Sequence, residues 1–337
     1  MRAIRDLHPG YLAMVMATGI LSTAAHLLGM RLVSLALLAV ATAAYAVLAT
    51  LYVWRLTGFW PQFLTDLKTP QRAFGFFTFV AASNVLGIRF ALGGWVRPTL
   101  VLWSIGLAAW LLLTYAIPAL LMLRQDKAPL GKAVNGAWLT WVVGTQSVAA
   151  AAATLAFYRP DLAPGLAAAG VSFWSIGVAL YVALIPIIVV RLFFYEVGPA
   201  DLAPPYWINM GACAISVIAG ARLLQLPAGL AAVDAARPAV QGISLMLWAF
   251  GTWWIPALVV WGVWRHGVRR FPLTYEPTQW SMVFPLGMYA ASSIAFGRVT
   301  HLNFIVVIAS WEVWAAFLAW TLVFLGWAGS LLRGRQT

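Results

Sequence analysis

The sequence is short of charge, and above all of acid: Asp and Glu together number 9 in 337 residues, and charged side chains of both signs make up 9% of the chain. A soluble domain carries roughly 25% charged residues, so the shortage argues against one. Cysteine is almost missing too. Cys213 stands alone, which excludes an internal disulfide and says nothing of redox compartment. No set of His, Cys, Asp and Glu has metal-ligand spacing, and no Ser/His/Asp grouping points to nucleophilic catalysis. Gly-x-x-x-x-Gly-Lys does not occur, so there is no built-in ATPase, and no cofactor is called for. Apolar residues are abundant at 63%, and the 19 tryptophans and 10 tyrosines are of the kind that sit at membrane-water interfaces. The net charge of +12 is scattered between apolar runs, which reads as a topology signal and not as a nucleic-acid surface.

A helix needs about 20 apolar residues to cross the hydrocarbon core. Ten stretches qualify, at approximately 10–29, 32–54, 73–92, 98–123, 136–157, 164–195, 206–226, 240–264, 279–298 and 304–328. Their continuity excludes barrel strands, which alternate. The expected fold is therefore an all-α integral membrane protein of ten transmembrane helices with no separate soluble domain. The first stretch follows Arg2 and Arg5 but is longer than a secretory signal core, and a second span comes at once, so it is expected to stay in place. Lys and Arg sort unevenly between the two sides. One side collects Arg2, Arg5, Arg55, Lys68, Arg72, Arg124, Lys127, Lys132, Arg191, Arg265, Arg269, Arg270, Arg333 and Arg335. The other holds Arg31, Arg89, Arg97, Arg159, Arg222, Arg237 and Arg298. Positive residues stay cytoplasmic, which puts both termini inside a plasma (inner) membrane, with odd helices running outward.

The chain repeats itself. Trp103-Ser104-Ile105-Gly106 recurs as Trp174-Ser175-Ile176-Gly177 and, more loosely, as Trp248-Ala249-Phe250-Gly251. Each copy is followed by an Ile-Pro pair (Ile117-Pro118, Ile185-Pro186, Ile255-Pro256), about 70 residues apart. Five helical hairpins fit, at roughly 8–54, 73–123, 136–195, 206–264 and 279–328. All share one orientation, so they are related by rotation about the membrane normal, unlike inverted repeats. Such a ring has one inner and one outer helix per hairpin. The odd helices carry the small and polar residues Thr18, Asn84, Gln146 and Asn209, and are expected to be inner. Two readings fit those residues: they line a pore, or they allow close packing.

Ionisable residues within spans are functional candidates by default. His26, Arg89, Arg222 and Arg298 lie near the outer ends of odd helices. Gly211 and Arg222, like Gly287 and Arg298, are eleven residues apart, almost three turns and about 16 Å. If the glycines face a pore, so do the arginines, and a basic mouth favours anions; the alternative is snorkelling to headgroups. Glu312 is the one acidic residue inside a span; a proton-coupling role is one reading, but it lies on an outer helix, and an ion pair with an outer-end arginine is expected for it. Phe284 precedes Pro285, which removes a backbone hydrogen bond and kinks the helix; such a Phe packs, faces lipid, or is pushed toward the axis.

His8-Pro9-Gly10-Tyr11 leading into Met16-Ala17-Thr18-Gly19-Ile20, and Trp280-Ser281-Met282-Val283-Phe284-Pro285-Leu286-Gly287-Met288-Tyr289, resemble the tellurite-resistance/C4-dicarboxylate transporter family. That family includes bacterial tellurite-resistance protein A, the fungal malate transporter and the plant slow anion channel. The resemblance covers essentially the whole chain. It implies five hairpins around a central pore, a homotrimer with one pore per subunit, and a pore-plugging phenylalanine that the Trp-x-x-x-Phe spacing places on Phe284. The expected partners are small anions and membrane lipid. The function expected is an anion channel or passive transporter. The runner-up is a proton-coupled uptake carrier for malate-like dicarboxylates, and an intramembrane enzyme or a sealed structural bundle stand further off.

Overall fold

The ten expected spans are ten helices in the computed structural model, which describes residues 1–333. They are α1 (Pro9–Leu27), α2 (Arg31–Gly58), α3 (Pro70–Leu92), α4 (Val96–Met122), α5 (Gly136–Tyr158), α6 (Ala163–Phe194), α7 (Pro204–Leu224), α8 (Ala231–Val268), α9 (Pro277–Thr300) and α10 (Asn303–Leu332). Arg335, counted above among the cytoplasmic charges, lies outside the described residues. The largest departure in boundary is α8, which starts well before residue 240. Gly229 turns the chain at φ +96° and its N–H donates to the Asp234 carboxylate at 2.7 Å, so the helix begins while the sequence is still polar. Pro238 sits inside the helix, where it forfeits one backbone bond.

Burial separates the two sets of helices. In the most apolar stretch of each odd helix 78% to 94% of residues are buried, against 11% to 33% in the even helices. The odd helices therefore form an inner ring and the even ones face lipid. The inner ring closes, since α1 packs on α3, α3 on α5, α5 on α7, α7 on α9 and α9 back on α1.

The Trp-x-x-Gly repeat is what fastens hairpin to hairpin. Each tryptophan donates its indole N–H forward to the inner helix of the next hairpin: Trp103 to the Val148 carbonyl (3.3 Å), Trp174 to the Ser216 carbonyl (3.0 Å) and Trp248 to the Ser293 hydroxyl (2.8 Å). Tyr45 hydrogen-bonds the Ser83 hydroxyl at 2.7 Å, and Trp320 of α10 donates to Thr18 of α1 at 3.0 Å, completing the circle. The glycine of each repeat packs backward on its own inner helix. A Cβ at Gly106 would lie 3.0 Å from Asn84 Nδ2, one at Gly177 2.5 Å from Gln146 Nε2, and one at Gly251 3.0 Å from Cys213 Cβ. Small residues where helices close in membranes serve this purpose.

Every inner helix has a 3₁₀ turn at or near its start: Pro9–Leu12, Phe74–Phe76 (after a short α turn at Pro70–Ala73), Gly136–Leu139, Pro204–Trp207 and Pro277–Gln279. These turns touch one another in order and form a closed collar on the side of the termini. At Gly136 a side chain would run into the Pro205 backbone, so only glycine fits. Tyr11 and Tyr275 meet at 3.2 Å, and Trp280 donates to the Tyr275 hydroxyl at 3.1 Å. Because the hairpins are parallel, five helix N-termini converge on the collar, and their positive dipole ends with them.

Candidate functional site

The axis of the inner ring is almost solid. Ile20 and Thr23 of α1, Val85 and Ile88 of α3, Ser147 and Ala150 of α5, Ile215 and Ile218 of α7, and Met288 of α9 surround a cavity of about 10 Å³. That is room for a single water. The throat is mostly branched aliphatic, and its two hydroxyls are spent locally: Ser147 donates to the Gly144 carbonyl and Thr23 to the Gly19 carbonyl. Phe284 is one helical turn from Met288 on the side of the termini, hence on the same face about 6 Å away. It is 2% exposed. Pro285, directly after it, lies inside α9 and packs on Gly211, where a Cβ would come within 2.8 Å of the ring.

Past the throat, away from the termini, a pocket opens between the ends of α5 and α7. Thr154 and Arg222 are one turn beyond Ala150 and Ile218, and with Ala153, Phe157, Tyr158 and Gln225 they line a vestibule of about 370 Å³. Arg222 Nη1 donates to Gln225 Oε1 at 3.1 Å, while its Nε and Nη2 are buried without any hydrogen-bond partner. No carboxylate is among the lining residues. The arrangement leaves a cation with two unpartnered donor nitrogens one turn beyond the throat.

The other basic residues expected at this mouth are placed differently. His26 is exposed, within electrostatic range of Arg89 and Arg222. Arg89 is drawn sideways between α1 and α2 by Ser22 (3.0 Å) and Ser34 (2.8 Å), away from the axis. Arg298 caps the end of α1 by donating to the Leu27 carbonyl at 3.1 Å. Arg159 follows the end of α5 and completes a ring of basic residues at the five inner C-termini, but it is paired with Asp161 at 2.5 Å. Basic residues there also complement the negative helix ends.

The four residues expected to line a pore each bond to another helix. Thr18 accepts from Trp320, Gln146 donates to the Trp174 carbonyl, Asn209 accepts from Tyr181, and Asn84 donates to Ser147 from behind the throat. A buried polar group is costly without a partner; Thr18, Asn209 and the amide nitrogens of Asn84 and Gln146 find theirs on neighbouring helices, while Asn84 Oδ1 and Gln146 Oε1 stay buried without one. Gly211 and Gly287 pack closely on Pro285 and Ile20. Glu312 has no ion pair among the described residues, and its Oε1 is buried without a partner. It stands nine residues into α10, about 14 Å from the helix end where the arginines lie. Sequence reading missed Thr154, Tyr158 and Gln225, and the throat itself, whose Ile, Val and Met residues read as ordinary packing.

At the collar, His8 explains the first of the two motifs. Its Nδ1 accepts from Gly10 N–H at 3.0 Å, which fixes the turn into α1 and requires an unprotonated nitrogen. Burial, and then the neighbouring Arg72, lower its pKa from 6.5 to about 4. Beside it Asp66 joins two arginines, Arg55 at 2.6 Å and Arg72 at 3.0 Å, with Arg55 and Asp66 almost fully buried.

Five parallel hairpins around a constricted axis with a basic vestibule define a multi-pass membrane protein of the channel and transporter class. Residues 6–328 match the family described as voltage-dependent anion channel, and the chain belongs to that family. An uncharacterised membrane protein of Mycobacterium tuberculosis (strain H37Rv) is 46% identical over 147 residues, covering 43% of this chain and 74% of that protein. Two proteins of Methanocaldococcus jannaschii, each named an uncharacterised transporter, are similar throughout. One is 25% identical over 338 residues (98% of this chain, 95% of the relative) and the other 24% over 327 residues (94% and 92%).

Proposed function

We propose that the bundle axis is a passive pathway for small anions, closed by Phe284 together with the apolar throat and supplied from a vestibule in which Arg222 collects the anion. The observation that carries this reading is the Arg222 guanidinium, with two buried donors unpartnered and no carboxylate among the vestibule residues. A basic mouth selects anions, and an apolar constriction gates by excluding water. Pro285 removes a backbone hydrogen bond from the gate helix directly after Phe284, which gives the helix a place to bend. The side bearing both termini is cytoplasmic, on the count of Lys and Arg. One charge moving through 100 mV is worth about 2.3 kcal/mol, so a cell negative inside drives anions outward. Chloride, nitrate, sulfite, tellurite and C4-dicarboxylates are all of the class such a pore admits. The working unit is a homotrimer in the plasma (inner) membrane, each subunit with its own pore, as in the family that the two motifs resemble.

The second reading, proton-coupled uptake of a C4-dicarboxylate, needs a titratable group on the path. Neither the throat nor the vestibule is lined by a carboxylate, and Glu312 stands on an outer helix, which favours the passive pathway. The test is reversal potential in planar bilayers holding the purified Phe284→Ala protein under a potassium chloride gradient, then with nitrate or malate. Anion selectivity is expected. Cation selectivity, or malate accumulation only under an inward proton gradient, would overturn the reading.

A further inference from the structure

A second cavity, of about 380 Å³, opens between the first two hairpins on the side away from the termini. Three basic residues line it, His26, Arg31 and Arg89, and no carboxylate does. Arg89 is the deepest of them at 2% exposure, with Nε and Nη2 held by the Ser22 and Ser34 hydroxyls. Those serines are bonded to each other's carbonyls at 2.6 and 2.7 Å, so the guanidinium is fixed off the axis. Its Nη1 is buried and has no partner. Gly93, also in the wall, lies beside that nitrogen, where a Cβ would stand 3.6 Å from it. The rest of the wall is apolar. Leu35 and Trp95, 42% and 53% exposed, lie on the lipid-facing surface, and Leu38 is buried behind them.

We propose that this cavity binds the phosphate of an anionic phospholipid headgroup in the leaflet away from the termini. Arg89 and Arg31 donate to the phosphate oxygens, His26 adds polarity at the rim, and an acyl chain descends along Leu35 on α2. The combination points to a lipid and not to a permeating ion. A throughgoing anion has no use for an apolar wall open to the bilayer, and the Ser22–Ser34 clamp holds Arg89 away from the pore. Trp95 at the cavity edge is at the depth where tryptophan anchors to headgroups. The inference stands apart from the gate and from Arg222.

The test is native mass spectrometry of the full-length protein, purified in detergent and titrated separately with phosphatidylglycerol, phosphatidylcholine and inorganic phosphate. Wild type is expected to retain one phosphatidylglycerol per chain at concentrations where phosphatidylcholine leaves no adduct. Arg31→Gln, at an exposed position, should weaken that binding about fivefold, the effect of one basic residue near a lipid surface, and Arg89→Gln should abolish it. If Arg89→Gln does not fold, Arg31→Gln paired with His26→Gln carries the same comparison. Equal retention of both lipids, or unchanged binding in the Arg31 variant, would overturn the proposal. So would displacement of the lipid by millimolar phosphate, which would make the cavity a free-anion site. Loss of oligomeric mass in Arg31→Gln with lipid retained would assign the cavity to a contact between copies, again against the proposal.

Discussion

Replacing Arg222 by glutamine in a Phe284→Ala background removes the vestibule's cation while keeping a side chain that can hydrogen-bond Gln225. Arg222 is four residues beyond Ile218, so its backbone sits about 6 Å along the axis from the throat. At that separation a unit charge stabilises an anion by about 0.7 kcal/mol in a medium like bulk water, and by about 2.8 kcal/mol at an effective dielectric constant of 20. The loss of anion occupancy is then about threefold to hundredfold, toward the upper end if the narrow, partly buried vestibule behaves like protein rather than water. The assay is chloride conductance in planar bilayers at about 0.1 M and 1 M salt, between which the Debye length falls from about 10 Å to 3 Å. The deficit should be large at low salt and shrink at high salt. An Arg222→Gln conductance equal to that of its background at low salt would refute the reasoning, as would an equal deficit at both salts.

Two further predictions concern the scaffold. His8 stays neutral down to about pH 4 in the folded protein, whereas the unfolded chain takes up its proton near 6.5. The unfolded state therefore binds more protons between those values, and stability falls as pH drops from about 6.5 to 4, by at most about 3 kcal/mol; His8→Gln should flatten the melting temperature over that window, and an unchanged slope would exclude His8 as its source. Gly177→Ala places a methyl 2.5 Å from Gln146 Nε2 and should destabilise the bundle by about 1–3 kcal/mol, with recovery in the double variant Gly177→Ala, Gln146→Ala. Additive losses would mean that the two residues do not press on each other.

The spans, the parallel hairpins and the division into inner and outer helices were legible because each rests on local composition: long apolar runs, a Trp-x-x-Gly repeat, small residues on alternate helices. The lumen was not legible. Thr18, Asn84, Gln146 and Asn209 stand out in the sequence because they are polar, but a buried polar side chain is drawn to any partner that can satisfy it, and the sequence does not say which. The partners here are Trp320, Ser147, the Trp174 carbonyl and Tyr181. The throat, being Ile, Val and Met, carries no signal that separates it from packing. The height of Arg89, Arg222 and Arg298 could be read from their places near helix ends. Their lateral direction could not, since Ser22, Ser34 and the Leu27 carbonyl come from other parts of the chain.

The central claim is that Phe284 on α9, together with the apolar throat beside it, keeps an anion path shut, and the most direct measurement is chloride current through purified wild type beside Phe284→Ala in the same bilayer. Wild type is expected to be nearly silent and the alanine variant to conduct far more, with anion selectivity retained. Equal currents from a variant whose fold is intact by thermal melting would contradict it, because the path would then be closed somewhere other than Phe284.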